Sequence, residues 1–301
     1  MPISRRAFLK TSAAAAGVSL LPGLAVADEQ LITRPFPGGR RVPVVGIGTS
    51  RRWDFGPAGM APARETLAKF LELGGTVLDT APSYQRAEDV IGALLTELDV
   101  REGVFLSTKV RKHSAVAARS EMEASFQRMQ TDFIELCSVH NFVGIDEVFP
   151  IVREWRDAGR YRYIGVTTHR SSQHPDMVRA LNILPLDSIQ VNYSLLSRDA
   201  DRKVLPLALD KGVAVTVNVP YARGDLFQKV GGRELPDWAA EFDCRSWGQF
   251  FLKYIIGHPA VTVVIPGTSK VHHLEDNMGA AYGRLPDQVM RKRMEEFIDS
   301  L

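Results

Sequence analysis

VFLSTKV at residues 104–110 and FIELCSVH at 133–140 are short, apolar runs rich in β-branched and aromatic residues, each carrying a basic residue at or next to its end. A stretch of helical length separates them. The same unit recurs outward in both directions, with VPVVGIG at 42–48 and TVLDTA at 76–81 before the pair. After it come YIGVTT at 163–168, SIQVNYS at 188–194, AVTVNVP at 214–220 and VTVVIPG at 261–267. Runs buried on both faces, alternating with amphipathic helices, build parallel sheets. Eight such units at intervals of about 25 to 45 residues predict a closed (β/α)8 barrel rather than an open sheet.

The helical stretches support this reading. PARETLAKFLELGG, DEVFPIVREWRDAG and ADRKVLPLALDKG each end in glycine, where a left-handed helix stop is expected. In the first, Leu67, Phe70, Leu71 and Leu73 form one face and Arg64, Glu65, Lys69 and Glu72 the other. Pro37-Gly38-Gly39, between LITRPF and RRVPV, predicts a β-hairpin capping the bottom of the barrel. DQVMRKRMEEFIDSL reads as a closing helix, and residues 222–245 as the longest loop.

Residues 1–27 are a different kind of sequence. Ser4-Arg5-Arg6-Ala7-Phe8-Leu9-Lys10 precedes a mild apolar stretch ending Ala25-Val26-Ala27, the order of a twin-arginine export signal. This predicts passage through the twin-arginine translocase to a periplasmic or extracellular site, with residues 28–301 as the single folded domain. The apolar stretch is too short and weak for a stable membrane span. The whole chain carries 37 Lys+Arg against 35 Asp+Glu; without Arg5, Arg6 and Lys10 the balance is 34 against 35. A near-neutral chain offers no field for nucleic acid. Two cysteines, Cys137 and Cys244, are too few for a disulfide scaffold and lack metal-ligand spacing.

Polar residues collect at the strand ends, which share one mouth of a barrel. Asp79 and Tyr84 follow the second run, Lys109 ends the third, His140 the fourth and Thr167 and Thr168 the fifth; Gln190 lies in the sixth and Asn218 in the seventh. A phenol beside an ammonium that is paired with a carboxylate can act as an acid or base near neutral pH, because the cation stabilises phenolate. Hydride arriving at a carbonyl carbon leaves charge on oxygen, which a tyrosine and an imidazole can bind and protonate. Lys109 as a Schiff-base nucleophile of a barrel lyase is a second chemistry open to these residues.

LDTAPSYQRAE, STKV, SVHN and IPGTSKVHHLEDN, in this order and at barrel spacing, resemble the signature segments of the aldo-keto reductase superfamily. The resemblance implies reduction of a small aldehyde or ketone with NADP(H), NAD(H) being the alternative cofactor. It places the general acid at Tyr84, its pKa-lowering cation at Lys109, the cation's partner at Asp79 and the carbonyl-orienting imidazole at His140. It assigns Thr167, Thr168 and Gln190 to the nicotinamide carboxamide, with threonine 168 where the family commonly has asparagine. Asn218 stands where several members stack a tyrosine. Gly267, Thr268, Ser269, Lys270, His273 and Asn277 resemble the adenosine-phosphate site, with histidine 273 at a usual arginine position and Asp276 beside the adenine. Trp53 and Tyr221 are candidate walls of the substrate pocket. A chain ending on a helix, without the long tail of steroid-binding members, implies small substrates; a monomer is the default expectation. Some members are nicotinamide-binding channel subunits, so a sensor is a further implied role.

Overall fold

The computed structural model describes residues 30–56 and 59–301. An antiparallel pair, β1 (Thr33–Pro35) and β2 (Arg41–Pro43), precedes eight parallel strands. These are β3 (Ile47–Gly48), β4 (Val77–Asp79), β5 (Phe105–Val110), β6 (Ile134–His140), β7 (Tyr161–Thr167), β8 (Ser188–Asn192), β9 (Ala214–Asn218) and β10 (Val263–Val264). They pair in chain order, and parallel bridges from Val45 to Val264 and from Gly48 to Gly267 join the first strand to the last. Between them, among the described residues, lie α1 (Met60–Glu72), α2 (Ala87–Leu98), α3 (Ala115–Met129), α4 (Ile145–Asp157), α5 (His174–Ile183), α6 (Val204–Asp210) and, after β9, the short α7 (Asp225–Val230) followed by α8 (Trp247–Ile256). The chain continues through α9 (Val271–Gly279) and α10 (Gln288–Asp299). This is the (β/α)8-type fold that the eight apolar runs predict. The export-signal segment lies outside the described residues.

Two elements differ from the sequence reading. The run at 42–48 serves two sheets: Arg41–Pro43 pairs with the hairpin, and only Ile47–Gly48 enters the parallel sheet. Residues 222–245 are not one loop but carry α7 and 3-10 turns at Ala222–Gly224 and Asp237–Phe242. Their buried Leu226, Val230, Ala239 and Phe242 join the main core, which the polar residues around them conceal in a periodicity reading.

The predicted helix stops are present: Gly74, Gly159 and Gly212 have φ of 77°, 79° and 66°. The hairpin plugs the end of the barrel where the strands begin. Phe36 and Val42 form a separate apolar cluster with Val77, Phe105, Leu136, Tyr163, Ala214 and Val263, and the Phe36 and Phe105 rings stand 4.8 Å apart. Arg34 fastens the hairpin by donating to the carbonyls of Ile256 (2.6 Å) and His258 (2.8 Å). With one end filled, the opening lies where β4, β5, β6 and β7 finish.

Candidate active site

A cleft of about 1160 Å³ occupies that opening. It exceeds the roughly 300–1,000 Å³ of ordinary small-molecule pockets. Asp79 closes β4, and a turn in which the Tyr84 N–H donates to the Ala81 carbonyl (2.9 Å) lifts the phenol to the rim. Lys109 and His140 come from the ends of β5 and β6. Asp79, Tyr84 and His140 line the cleft; Lys109, 1% exposed, lies beneath it.

One hydrogen-bonded chain runs through the site. The Lys109 Nζ donates to Asp79 Oδ2 and to the Thr80 carbonyl, both at 2.7 Å. Asp79 Oδ1 accepts from Ser107 (3.0 Å) and from Gln190 Nε2 (2.9 Å). Gln190 Oε1 accepts from Asn218 Nδ2 at 3.2 Å, and the same nitrogen donates to the Thr168 carbonyl at 3.0 Å. Four strands, β4, β5, β8 and β9, are thereby tied to one buried ion pair, which fixes each rotamer.

Burial alone works against the Lys109 ammonium, but the Asp79 charge, then Tyr84 and the hydrogen bonds to both, hold its pKa above the ordinary lysine value. A permanently cationic Lys109 is a poor Schiff-base nucleophile, which needs the free amine. The nitrogen sits 5.0 Å from the Tyr84 ring centre. Burial raises the Tyr84 pKa, the Lys109 charge opposes it, and the balance lies above the ordinary phenol. This corrects the expectation of a phenol titrating near neutral pH: desolvation outweighs the cation, and Tyr84 holds its proton. His140 is pushed down to about 3, first by burial and then by the charges of Lys109 and Arg111. Its neutral ring meets Tyr84 edge-on at 6.0 Å, and its buried Nδ1 has no partner among the described residues.

The remaining candidates divide. Thr167, Gln190 and Asn218 line the cleft. Thr168 does not: its hydroxyl turns outward to Gln173 Oε1 at 2.6 Å, and only its carbonyl serves the network. Gln190 also differs from expectation, because both ends of its amide are engaged by protein. The free acceptor is Asn218 Oδ1, buried and without a partner among the described residues. Gly267, Thr268, His273 and Asn277 line the far end, at the start and along α9. Ser269 and Lys270 lie just outside the wall, where the Lys270 N–H donates to the Thr268 hydroxyl at 3.1 Å. Asp276 lines the wall and accepts from Ser246 (2.8 Å) and Gln249 (3.1 Å).

Trp53 is not a pocket wall. It is fully buried, and its indole N–H donates to the Thr268 carbonyl at 2.9 Å, so it braces the far end from behind. Tyr221 does line the cleft, but its hydroxyl donates to Asn277 at 2.5 Å, which places it with the far half rather than beside Tyr84. Gly48 shows why the floor is open: a Cβ there would meet the Ile265 carbonyl oxygen at 2.8 Å, so only glycine lets β3 close against β10. Sequence reading missed Ser50, Arg51, Arg111, Asn141, His169 and Arg223, all on the cleft wall. They sit in loops and turns between the strands and helices, where no period marks them. Arg51, Gln85, Asn141, Val219 and Arg223 have φ between 53° and 62°. For Val219, a β-branched residue, this is a strained conformation, and such strain concentrates at functional sites.

A neutral imidazole and a protonated phenol over a buried lysine–aspartate pair, at one end of a cleft of about 1160 Å³, fit a nicotinamide-dependent oxidoreductase. The Aldo/keto reductase family matches residues 44–298, and the chain belongs to it. The aldo-keto reductase YhdN of Bacillus subtilis is 34% identical over 181 residues, a match spanning 55% of this chain and 54% of that protein. An uncharacterised oxidoreductase of Schizosaccharomyces pombe is 30% identical over 302 residues, spanning 95% of this chain and 94% of its own. The fold is also that of an aldo/keto reductase from Klebsiella pneumoniae solved in complex with NADP and acetate, with a TM-score of 0.75 and 23% identity, covering 88% of this chain and 95% of that one.

Proposed function

We propose that the protein reduces the carbonyl of a small aldehyde or ketone to an alcohol with NADPH. The observation that carries this reading is the single chain of hydrogen bonds from Lys109 through Asp79 and Gln190 to Asn218, which joins the cation beside Tyr84 to the cofactor wall. The cleft suits the dinucleotide. Asn218 Oδ1 is a ready acceptor for a carboxamide N–H, and the uncapped start of α9, with Lys270 beside it, suits a phosphate. The NADP in the Klebsiella complex supports the same choice of cofactor.

Bound nicotinamide in its reduced form would supply hydride to the carbonyl carbon. Tyr84 and neutral His140 both donate to the carbonyl oxygen, fixing it and stabilising the charge that develops there. As that oxygen becomes alkoxide, a far stronger base than phenolate, Tyr84 passes it the proton. A phenol with a raised pKa is suited to this direction, because it keeps its proton until the alkoxide forms. Lys109 then stabilises the phenolate left behind.

Arg5, Arg6 and the Ala25-Val26-Ala27 site support export by the twin-arginine route, and we place the folded enzyme outside the cytoplasm on that ground. Tyr84→Phe tests the catalytic reading: turnover of an aldehyde falls by at least about 10²-fold while NADPH still binds. Undiminished reduction by this variant would remove Tyr84 from the chemistry, and binding without any turnover by the wild type would favour a sensor.

A further inference from the structure

Three arginines from three separate segments line one cleft, and the charges of all three bear on His169. Arg51 follows β3, Arg111 follows β5 and Arg223 follows β9, and all three line the cleft. His169, after β7, stands among them, its Nδ1 3.1 Å from Asn141 Oδ1. Burial, then the charges of Arg170, Arg223, Arg111 and Arg51, hold His169 below the ordinary histidine range. Arg111 also acts on His140, the residue over which the carbonyl sits.

Among the described residues, no carboxylate on the wall is paired with these cations. Asp54 is paired with Arg86 at 2.9 Å and Asp79 with Lys109 at 2.7 Å, while Asp276 is held by Ser246 and Gln249 against α9. Among the described residues, Arg51, Arg111 and Arg223 form no ion pair. Arg51 and Arg223 moreover hold left-handed backbone, φ 60° and 62°, that side-chain-bearing residues rarely adopt. Arg52 differs: its side chain lies against Gly267, on the adenosine side.

We propose that this cluster selects an anionic carbonyl substrate, one bearing a carboxylate or a phosphate on the side of the carbonyl away from the nicotinamide. The inference rests on the reductase reading and names its substrate class. Three unpaired guanidinia in a concave, partly desolvated wall supply charge-assisted, bidentate recognition that a neutral aldehyde cannot use. Arg111 is the principal contact: it leaves β5 directly after Val110, which pairs with Val139, and so stands beside His140 in register, while Arg51 and Arg223 add charge to the same cleft wall.

Calorimetric titration of the NADP+-saturated protein with benzoate and with benzamide reads this without turnover. Benzoate binds at least about tenfold more tightly than benzamide, and Arg111→Gln removes that preference while Arg111→Lys retains part of it. Equal affinities, or binding of neither, overturn the proposal. So does a loss of NADPH affinity in Arg111→Gln that accounts for the change, since it would assign the cation to cofactor phosphate. Kinetics with 4-carboxybenzaldehyde against methyl 4-formylbenzoate supply the second arm. A preference for the carboxylate that disappears in Arg111→Gln supports the inference, and equal kcat/KM values refute it. Phosphate-bearing and carboxylate-bearing aldehydes compared in the same assay separate the two anions. Failure to reduce either benzaldehyde alongside selective benzoate binding would sink the reductase reading and leave the anion site standing.

Discussion

Replacing Lys109 with methionine separates what the buried ion pair does for stability from what it does for chemistry. Lys109 is 1% exposed, and its loss leaves the Asp79 carboxylate, 3% exposed, with only Ser107 and Gln190 as partners. Two unit charges about 4 Å apart at an effective dielectric near 20 attract by about 4 kcal/mol. Breaking a buried pair from one side costs about 3–5 kcal/mol, because the surviving charge stays desolvated. Lys109→Met is therefore destabilised by about that amount in urea unfolding. In Asp79→Asn/Lys109→Met neither charge remains, and most of the loss returns, giving a coupling of about 3 kcal/mol in the double-mutant cycle. Activity does not return. The phenolate formed at Tyr84 has lost its cation, so kcat for aldehyde reduction stays down by about 10²–10⁴-fold in both variants. A single variant within 1 kcal/mol of wild type would show that the pair is not desolvated as argued. A double variant that recovers turnover would show that Lys109 does not support proton transfer.

Three further outcomes are accessible to simple assays. Lys270→Ala weakens NADPH by about tenfold and NADH little, because the lysine acts on the 2′-phosphate alone; equal weakening of both, read by fluorescence titration, would move it out of that site. His140 has a folded pKa of about 3 against 6.5 for the free side chain, so its neutral form is bound preferentially by the fold. Stability from this group is complete above pH 6.5 and declines as pH falls, by about 2 kcal/mol at pH 5, and His140→Asn flattens that part of the unfolding profile. The raised Tyr84 pKa leaves little phenolate at neutral pH, so alcohol oxidation climbs about tenfold per pH unit toward pH 10 while aldehyde reduction stays nearly flat. Parallel pH profiles in the two directions would count against Tyr84 as the shared acid and base.

The barrel, and the meeting of Asp79, Tyr84, Lys109 and His140 at one mouth of it, were legible in the amino-acid sequence alone. Strands buried on both faces are dominated by apolar residues, so charged or imidazole side chains near the strand ends, as at Asp79, Lys109 and His140, stand out within their own runs. The helix stops at Gly74, Gly159 and Gly212 are equally local, since a left-handed turn needs no knowledge of the rest of the chain. Tertiary structure decided which way the other polar groups face. Thr168 and Gln190 are spent on Gln173, Asp79 and Asn218, and Asn218 becomes the free acceptor through contacts made 28 and 50 residues away. Trp53 is committed to Thr268, 215 residues distant, and so leaves the pocket. The balance of the Tyr84 pKa and the meeting of Arg51, Arg111 and Arg223 are decided in the same way. Desolvation and summed charge are properties of a filled volume, and a volume exists only after the eight units have closed around it.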